Sequence, residues 1–138
     1  MAKKQKTIRQ LVKIADRWFS QYIRLKYAFG NGMCICVTCG KPYHWKKIHA
    51  GHYIVRVWMR TRYDGCNVHP QCCYCNTWLN GNTEMYHDYI IDTYGQEEID
   101  ALKRISRISP NSADRDELEK LIETLKLVVA KLRKDKGL

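Results

Sequence analysis

Apolar positions in the first thirty residues recur at helical spacing. Ile8, Leu11, Val12, Ala15, Trp18, Phe19 and Tyr22 fall on one side of a helix read from Thr7 to Phe29. Thr7 can cap its start, and the Gly30-Asn31-Gly32 run stops it. The periodicity then disappears. Residues 33–82 are rich in Cys, His, Asn and Gly, and read as loops with two short strands and a short helix. Helical spacing returns at Thr83, which can cap a segment that Gly95 stops, and "QEEIDALKRIS" follows. "SPN" around Pro110 breaks the chain. A last helix runs from about Ala113 to Lys134, with Leu118, Leu121, Ile122, Leu125, Val129 and Leu132 as its apolar stripe. Two partners fit that stripe, the N-terminal helix or its own copy in a homodimer, and the pattern does not choose between them. The expectation is an α+β chain forming a single domain over 1–138. It comprises a basic N-terminal helix (1–32), a loop-rich core (33–82) and a C-terminal helical region (83–138).

A length of 138 residues and an apolar content of 45% suit one domain with a modest core. No run of about 18 apolar residues exists, so no membrane span is expected. "MAKKQKTIRQ" lacks the apolar stretch of a secretory signal, so the expectation is an intracellular protein.

Charge sharpens the picture of the first helix. The net charge is +10, and residues 1–30 hold eight Lys/Arg against one acid, Asp16. At about 100° per residue, Lys6, Arg9, Lys13, Arg17 and Arg24 fall within an arc of roughly 80°, opposite the apolar side. Such a stripe suits a phosphate backbone; the alternative is a solubilising surface.

Seven cysteines in an intracellular chain argue for metal rather than disulfides. Cys36 and Cys39 form one C-x2-C pair, Cys72 and Cys75 another, with 32 residues between. This spacing predicts a structural Zn2+ site of four thiolates that supplies folding free energy to a segment with little core. Cys34 competes with Cys36 and Cys73 with Cys72, and the C-x2-C spacing favours Cys36 and Cys72. The spare Cys34, Cys66 and Cys73 are expected to be small buried side chains. A closed four-thiolate site leaves no position for substrate, so any catalysis needs a second centre.

"HAGHYIVR" and "RYDGCNVHPQCCYCN" supply candidates. The order of a His, then an Asn, then C-x2-C followed at once by Asn resembles the HNH, or ββα-metal, nuclease motif, at His52, Asn67 and Asn76. Across 36–86, "CVTCG", "AGHY", "RYDGCNVHPQC", "CN" and "LNGN" resemble the NinG/Rap family of lambdoid phage recombination proteins. The layout is also similar to phage endonuclease VII. The resemblance implies a zinc-stapled ββα-metal (HNH-like) core flanked by helices. It also implies a phage-encoded endonuclease of the host cytoplasm, acting on branched recombination intermediates such as Holliday junctions and D-loops. Branched DNA is the implied partner, with a phage recombinase or annealing protein beside it; two cuts on opposed strands suggest a homodimer.

Phosphodiester hydrolysis needs a base for the water and a cation for the leaving oxygen. His52 suits the base, and the amide oxygen of Asn76 suits a hard ion, Mg2+ or Mn2+. Asn67 is expected to hold the loop that orients His52. Asp64, His49 and His69 compete as further ligands of the catalytic ion. Arg56, Arg60 and Arg62 follow the strand and are expected to meet phosphates. Trp45, Trp58 and Trp78 are expected in the core, and Asn82 has no assigned role. Gly51 departs from the motif, which often carries an acid there. His49 could substitute only if a bulge at Ala50–Gly51 brought it to the side of His52. The rival reading is a non-catalytic zinc-stapled DNA-binding module, and a third is an interaction protein that recruits a partner through its C-terminal stripe.

Overall fold

The first helix, α1 (Ile8–Tyr27), starts at a capping box: the Thr7 hydroxyl accepts the Gln10 N–H, and the Gln10 side chain accepts the Thr7 N–H. The computed structural model describes residues 2–138, so Met1 of the expected 1–138 unit lies outside the described residues. Leu11, Ala15, Phe19 and Ile23 give α1 a buried face. The last helix, α5 (Arg115–Lys136), lays Leu118 and Ile122 on Leu11 and Ala15, and Leu125 on Phe19 and Ile23. The apolar stripe of α5 is therefore spent on α1 and is not free for a second copy. Lys136 fastens the far end, where its Nζ donates to the carbonyls of Leu25, Lys26 and Ala28 at 2.6–2.9 Å.

Four strands, not two, occupy the middle of the chain. β1 (Met33–Ile35) pairs with β2 (Pro42–His44), and β3 (His49–His52) with β4 (Val68–Gln71), both antiparallel. Strands of three or four residues are too short to show an alternation in sequence. A short helix, α2 (Met59–Arg62), rides on the β3–β4 connection. β4 runs into a wide helical turn, Tyr74–Trp78, where the Leu79 N–H bonds the Tyr74 carbonyl five residues back at 2.9 Å. Helices α3 (Thr83–Tyr94) and α4 (Gln96–Ser106) close the sequence before α5. Thr83 is the first residue of α3 rather than its cap. Asn82 precedes it in the left-handed region (φ 44°), which an Asn tolerates. Val68 of β4 joins Phe19, Ile23 and Leu125, so the β3–β4 hairpin rests on α1. Among the described residues no helix is long and apolar enough to cross a membrane.

Candidate metal centre and basic cleft

Cys36 and Cys39 sit on the turn that joins β1 to β2. Cys72 directly follows β4, and Cys75 lies inside the wide turn. The Val37 N–H bonds the Pro70 carbonyl at 3.0 Å, so the first pair is sewn to the strand that carries the second. All four Sγ atoms lie within 4.8 Å of one another, and Cys39 Sγ is 3.8 Å from Cys72 Sγ. Bonds of about 2.3 Å from a tetrahedral zinc to sulfur give edges of about 3.8 Å, so the donors fit Zn2+ in number, chemistry and spacing. Burial opposes a thiolate at Cys36. Hydrogen bonds from the Thr38 hydroxyl and nearby backbone N–H groups outweigh it and lower the pKa to about 6. Asn82 gains a role that its sequence did not reveal: its Nδ2 donates to Cys75 Sγ at 3.6 Å. Of the spare cysteines, Cys34 is buried with its thiol on the Arg24 carbonyl, Cys66 is half-buried, and Cys73 is exposed, contrary to the expectation of three buried side chains.

Beside this clamp lies a cleft of about 790 Å³. His49, Ala50 and His52 of β3, Asn76 and Thr77 of the wide turn, and Asp16 of α1 line it. Arg24, Lys46, Lys47 and Arg56 make its walls basic. The β3–β4 register runs through residues 49–52 without a bulge, so the condition set for His49 to join His52 as a substitute ligand is not met by the strand itself. The cleft nevertheless meets both histidines.

The two imidazoles are held differently. His52 Nε2 is 2.8 Å from the Arg62 carbonyl oxygen. A carbonyl only accepts, so Nε2 carries the proton and Nδ1 keeps a lone pair. Burial pushes the His52 pKa down to about 4, with nearby Arg56 and Arg62 also disfavouring its cation, so the ring is neutral at pH 7. His49 Nδ1 faces Asn76 Nδ2 at 3.2 Å. The amide N–H must donate, which leaves Asn76 Oδ1 unclaimed and makes His49 the group that orients it. Asn67 is fully buried. Its Oδ1 accepts the Ile54 N–H at 2.7 Å and its Nδ2 donates to the carbonyls of Ile54 and Thr61 at 3.0 Å, pinning the loop after His52.

Two candidate ligands of the second ion do not reach the cleft. Asp64 Oδ1 is occupied by the Cys66 N–H at 2.8 Å. His69 points the other way and is fully buried. The Tyr86 hydroxyl gives its proton to the Gly51 carbonyl (2.7 Å), so His69 Nδ1 donates to that hydroxyl (3.0 Å) and Nε2 accepts from Tyr94 (2.8 Å). Both nitrogens are used, and burial lowers the pKa of His69 to about 4.

The expected phosphate contacts also divide. Lys6, Arg9, Lys13 and Arg17 are exposed. Arg24 lines the cleft but is tethered to the Trp45 carbonyl at 2.9 Å. Arg56 is exposed at the cleft. Arg60 instead donates to Ile108 and Ser109 carbonyls on another face. Arg62 is an internal strut: it is 15% exposed and grips both oxygens of Asp16 at 2.8 and 2.5 Å, while Tyr63 donates to the same carboxylate at 2.9 Å. Lys46 and Lys47, which no motif in the sequence marks, take its place in the cleft wall. Trp45 is buried and Trp58 lies under the Arg107 guanidinium at 3.9 Å, but Trp78 is 75% exposed, against the expectation of a core residue.

The Bacteriophage Lambda NinG protein family model matches residues 1–135. The chain belongs to the NinG family. Two proteins called "Protein ninG", from Escherichia phage 933W and Enterobacteria phage VT2-Sa, are each 34% identical over 71 residues. Each match takes in 49% of this chain and 34% of the relative, so the chain spans about a third of the length of these curated NinG relatives. No solved structure matches.

Gly51 now has a physical explanation. A Cβ there would lie 2.7 Å from Gln71 Cδ and 2.9 Å from Gln71 Cβ. Gln71 is fully buried and cannot swing aside, because its Nε2 bonds Thr38 Oγ1 and the Gly81 carbonyl. Gly51→Ala is therefore expected to cost about 1–3 kcal/mol by overpacking, read as a lower urea midpoint. Gly51→Asp should cost more and add no affinity for Mg2+ in calorimetry, since its carboxylate would point at Gln71 and not at the cleft. Asp16→Ala strands the Arg62 guanidinium, and is expected to lose about 3 kcal/mol, the lower end for a broken buried pair because both side chains keep some exposure. An unchanged urea midpoint would refute the strut.

Proposed function

We propose that the chain is a metal-dependent endonuclease that cuts branched DNA, as intermediates of phage recombination, by water attack on a phosphodiester. One observation carries this reading: a neutral imidazole, His52, held by its Nε2 with Nδ1 free in the wall of a basic cleft. The fold supports it, because a β-hairpin is followed at once by a helical turn, with His52 and Asn76 in the lining of one cleft and Asn67 buried behind it on the loop after His52, in the chain order of the HNH, or ββα-metal, motif. In the reaction His52 Nδ1 takes a proton from water, and the water oxygen bonds phosphorus. The bond to the 3′ oxygen breaks and that oxygen is protonated from solvent, leaving a 5′-phosphate end. Asn67 holds the loop behind His52, while Lys46, Lys47 and Arg56 hold flanking phosphates.

A cation of the Mg2+ or Mn2+ type would neutralise charge on the phosphate and on the departing oxygen. Asn76 Oδ1 is the unclaimed donor for it, and His49 can join only by releasing Asn76. Asp16 is the one carboxylate in the lining, and Arg62 and Tyr63 hold it. Such a set fits an ion bound mainly by water and DNA phosphates.

The spent carboxylate also favours the rival, a zinc-stapled module that binds branched DNA without cutting it. A labelled four-way junction, a D-loop, a flap and a linear duplex incubated with the purified chain and Mg2+ or Mn2+ separate the two. Cleavage of branched substrates, abolished by withholding the cation, supports the nuclease; tight binding with no product under either ion supports the module. A recombinase or annealing protein as a further partner, and dimerisation on the junction, belong to the same proposal.

A further inference from the structure

The wide turn Tyr74–Trp78 shows three faces. Cys75 points inward to the sulfur cluster. Asn76 and Thr77 line the basic cleft. Tyr74 and Trp78, four residues apart and so on one side of the turn, stand in solvent at 60% and 75% exposure. Large aromatic side chains left this bare mark a binding surface when they lie together. The turn cannot tilt, because Cys72 and Cys75 clamp it to the β1–β2 turn on either side of Tyr74.

What covers the aromatic face follows from what adjoins it. The other flank of the same turn belongs to a cleft walled by Arg24, Lys46, Lys47 and Arg56, which suits a DNA backbone rather than an apolar protein surface. The two flanks are separated by about one helix diameter, roughly 10 Å. A strand whose phosphate enters the cleft therefore has bases within reach of Tyr74 and Trp78. Indole and phenol rings stack on any base, but only on one whose face is free. In an intact duplex each base is covered by its neighbours. At a junction, flap or fork it is not.

We propose that Tyr74 and Trp78 form a wedge that stacks on an unpaired base at a DNA branch, so that this turn selects branched over linear DNA. The inference rests on reading the cleft as a backbone site. It assigns the choice of substrate to the turn's aromatic face and the chemistry to its cleft face.

The test uses the zinc-loaded full chain without added Mg2+, so that only binding is read. Anisotropy titrations compare a four-way junction with a linear duplex of the same arm sequence. Trp78→Ala should weaken junction binding roughly 10- to 100-fold and leave duplex binding unchanged. Tyr74→Ala should act in the same direction, and Trp78→Phe should retain most of the affinity. 2-Aminopurine placed at the branch should be quenched by the native chain and not by Trp78→Ala; placed in mid-arm it should not respond. Equal losses on junction and duplex, or no loss on either, overturn the wedge. So does a Trp78→Ala chain that binds the junction normally but loses self-association in sedimentation, which would make the face a contact between copies. Branch binding that needs Trp78 in a chain that cuts nothing keeps the wedge and removes the nuclease. Junction cleavage undiminished by Trp78→Ala does the reverse.

Discussion

Replacing Cys72 and Cys75 together by serine is expected to abolish zinc binding and unfold residues 33–82. Binding of a structural zinc by thiolates is worth roughly 10–16 kcal/mol in small peptides, against a total stability of about 5–15 kcal/mol for an ordinary domain. The middle segment has little to set against that loss. Its strands are three or four residues long, and the cluster around Trp45, Ile48 and Leu25 counts Cys36, Cys72 and Cys75 among its own buried members. The α1–α5 pair is different. Its contacts through Leu11, Ala15, Leu118 and Ile122 involve no cysteine. Far-UV dichroism should therefore fall only in part, while trypsin cuts inside 33–82. Metal analysis should give one zinc per native chain and none in the double variant. Cys34→Ser, Cys66→Ser and Cys73→Ser should each keep full stoichiometry. A double variant that resists trypsin as the native chain does would show that the clamp contributes no stability.

The clamp was legible because two C-x2-C pairs place four donors by local turns alone. The first helix was legible for a similar reason: its capping box and its apolar face are both set within a few residues. What escaped the sequence depends on partners far along the chain. Asp16 and Arg62 are 46 residues apart, and nothing in either neighbourhood marks Arg62 as a strut rather than a phosphate contact. His69 looked like a ligand until Tyr86 and Tyr94, 17 and 25 residues on, took both its nitrogens. Gly51 was read as a missing acid. Its cause is the Gln71 side chain, which reaches over from the β4 position two residues beyond Gly51's partner His69 and is held by Thr38 of the cysteine turn, so the same contacts that position the clamp exclude a side chain from that strand position. Trp78 was misread because an aromatic next to buried cysteines usually joins their cluster, and here the wide turn rotates it out.

His52→Ala is expected to reduce junction cleavage by about 10²–10⁴-fold, the usual contribution of a positioned general base, while junction affinity without Mg2+ stays unchanged. The separation matters, since a variant that merely loosened the loop would weaken binding as well. The His52 side chain has a single hydrogen bond, to the Arg62 carbonyl, and alanine leaves that loop pinned by Asn67. Added imidazole should restore part of the rate, because the missing group is a neutral ring with a free nitrogen. The pH profile supplies a second check. Burial lowers the His52 pKa from its usual 6.5 to about 4, so the base form is fully populated well below neutrality and is lost only as pH falls through about 4. Native cleavage should show no acid limb near 6.5. A native profile that titrates at 6.5, or equal cleavage by both chains, would remove His52 from the chemistry. Loss of cleavage with intact binding, rescued by imidazole, would leave a cleft that needs only a weakly held cation and one half-buried, neutral histidine to cut DNA.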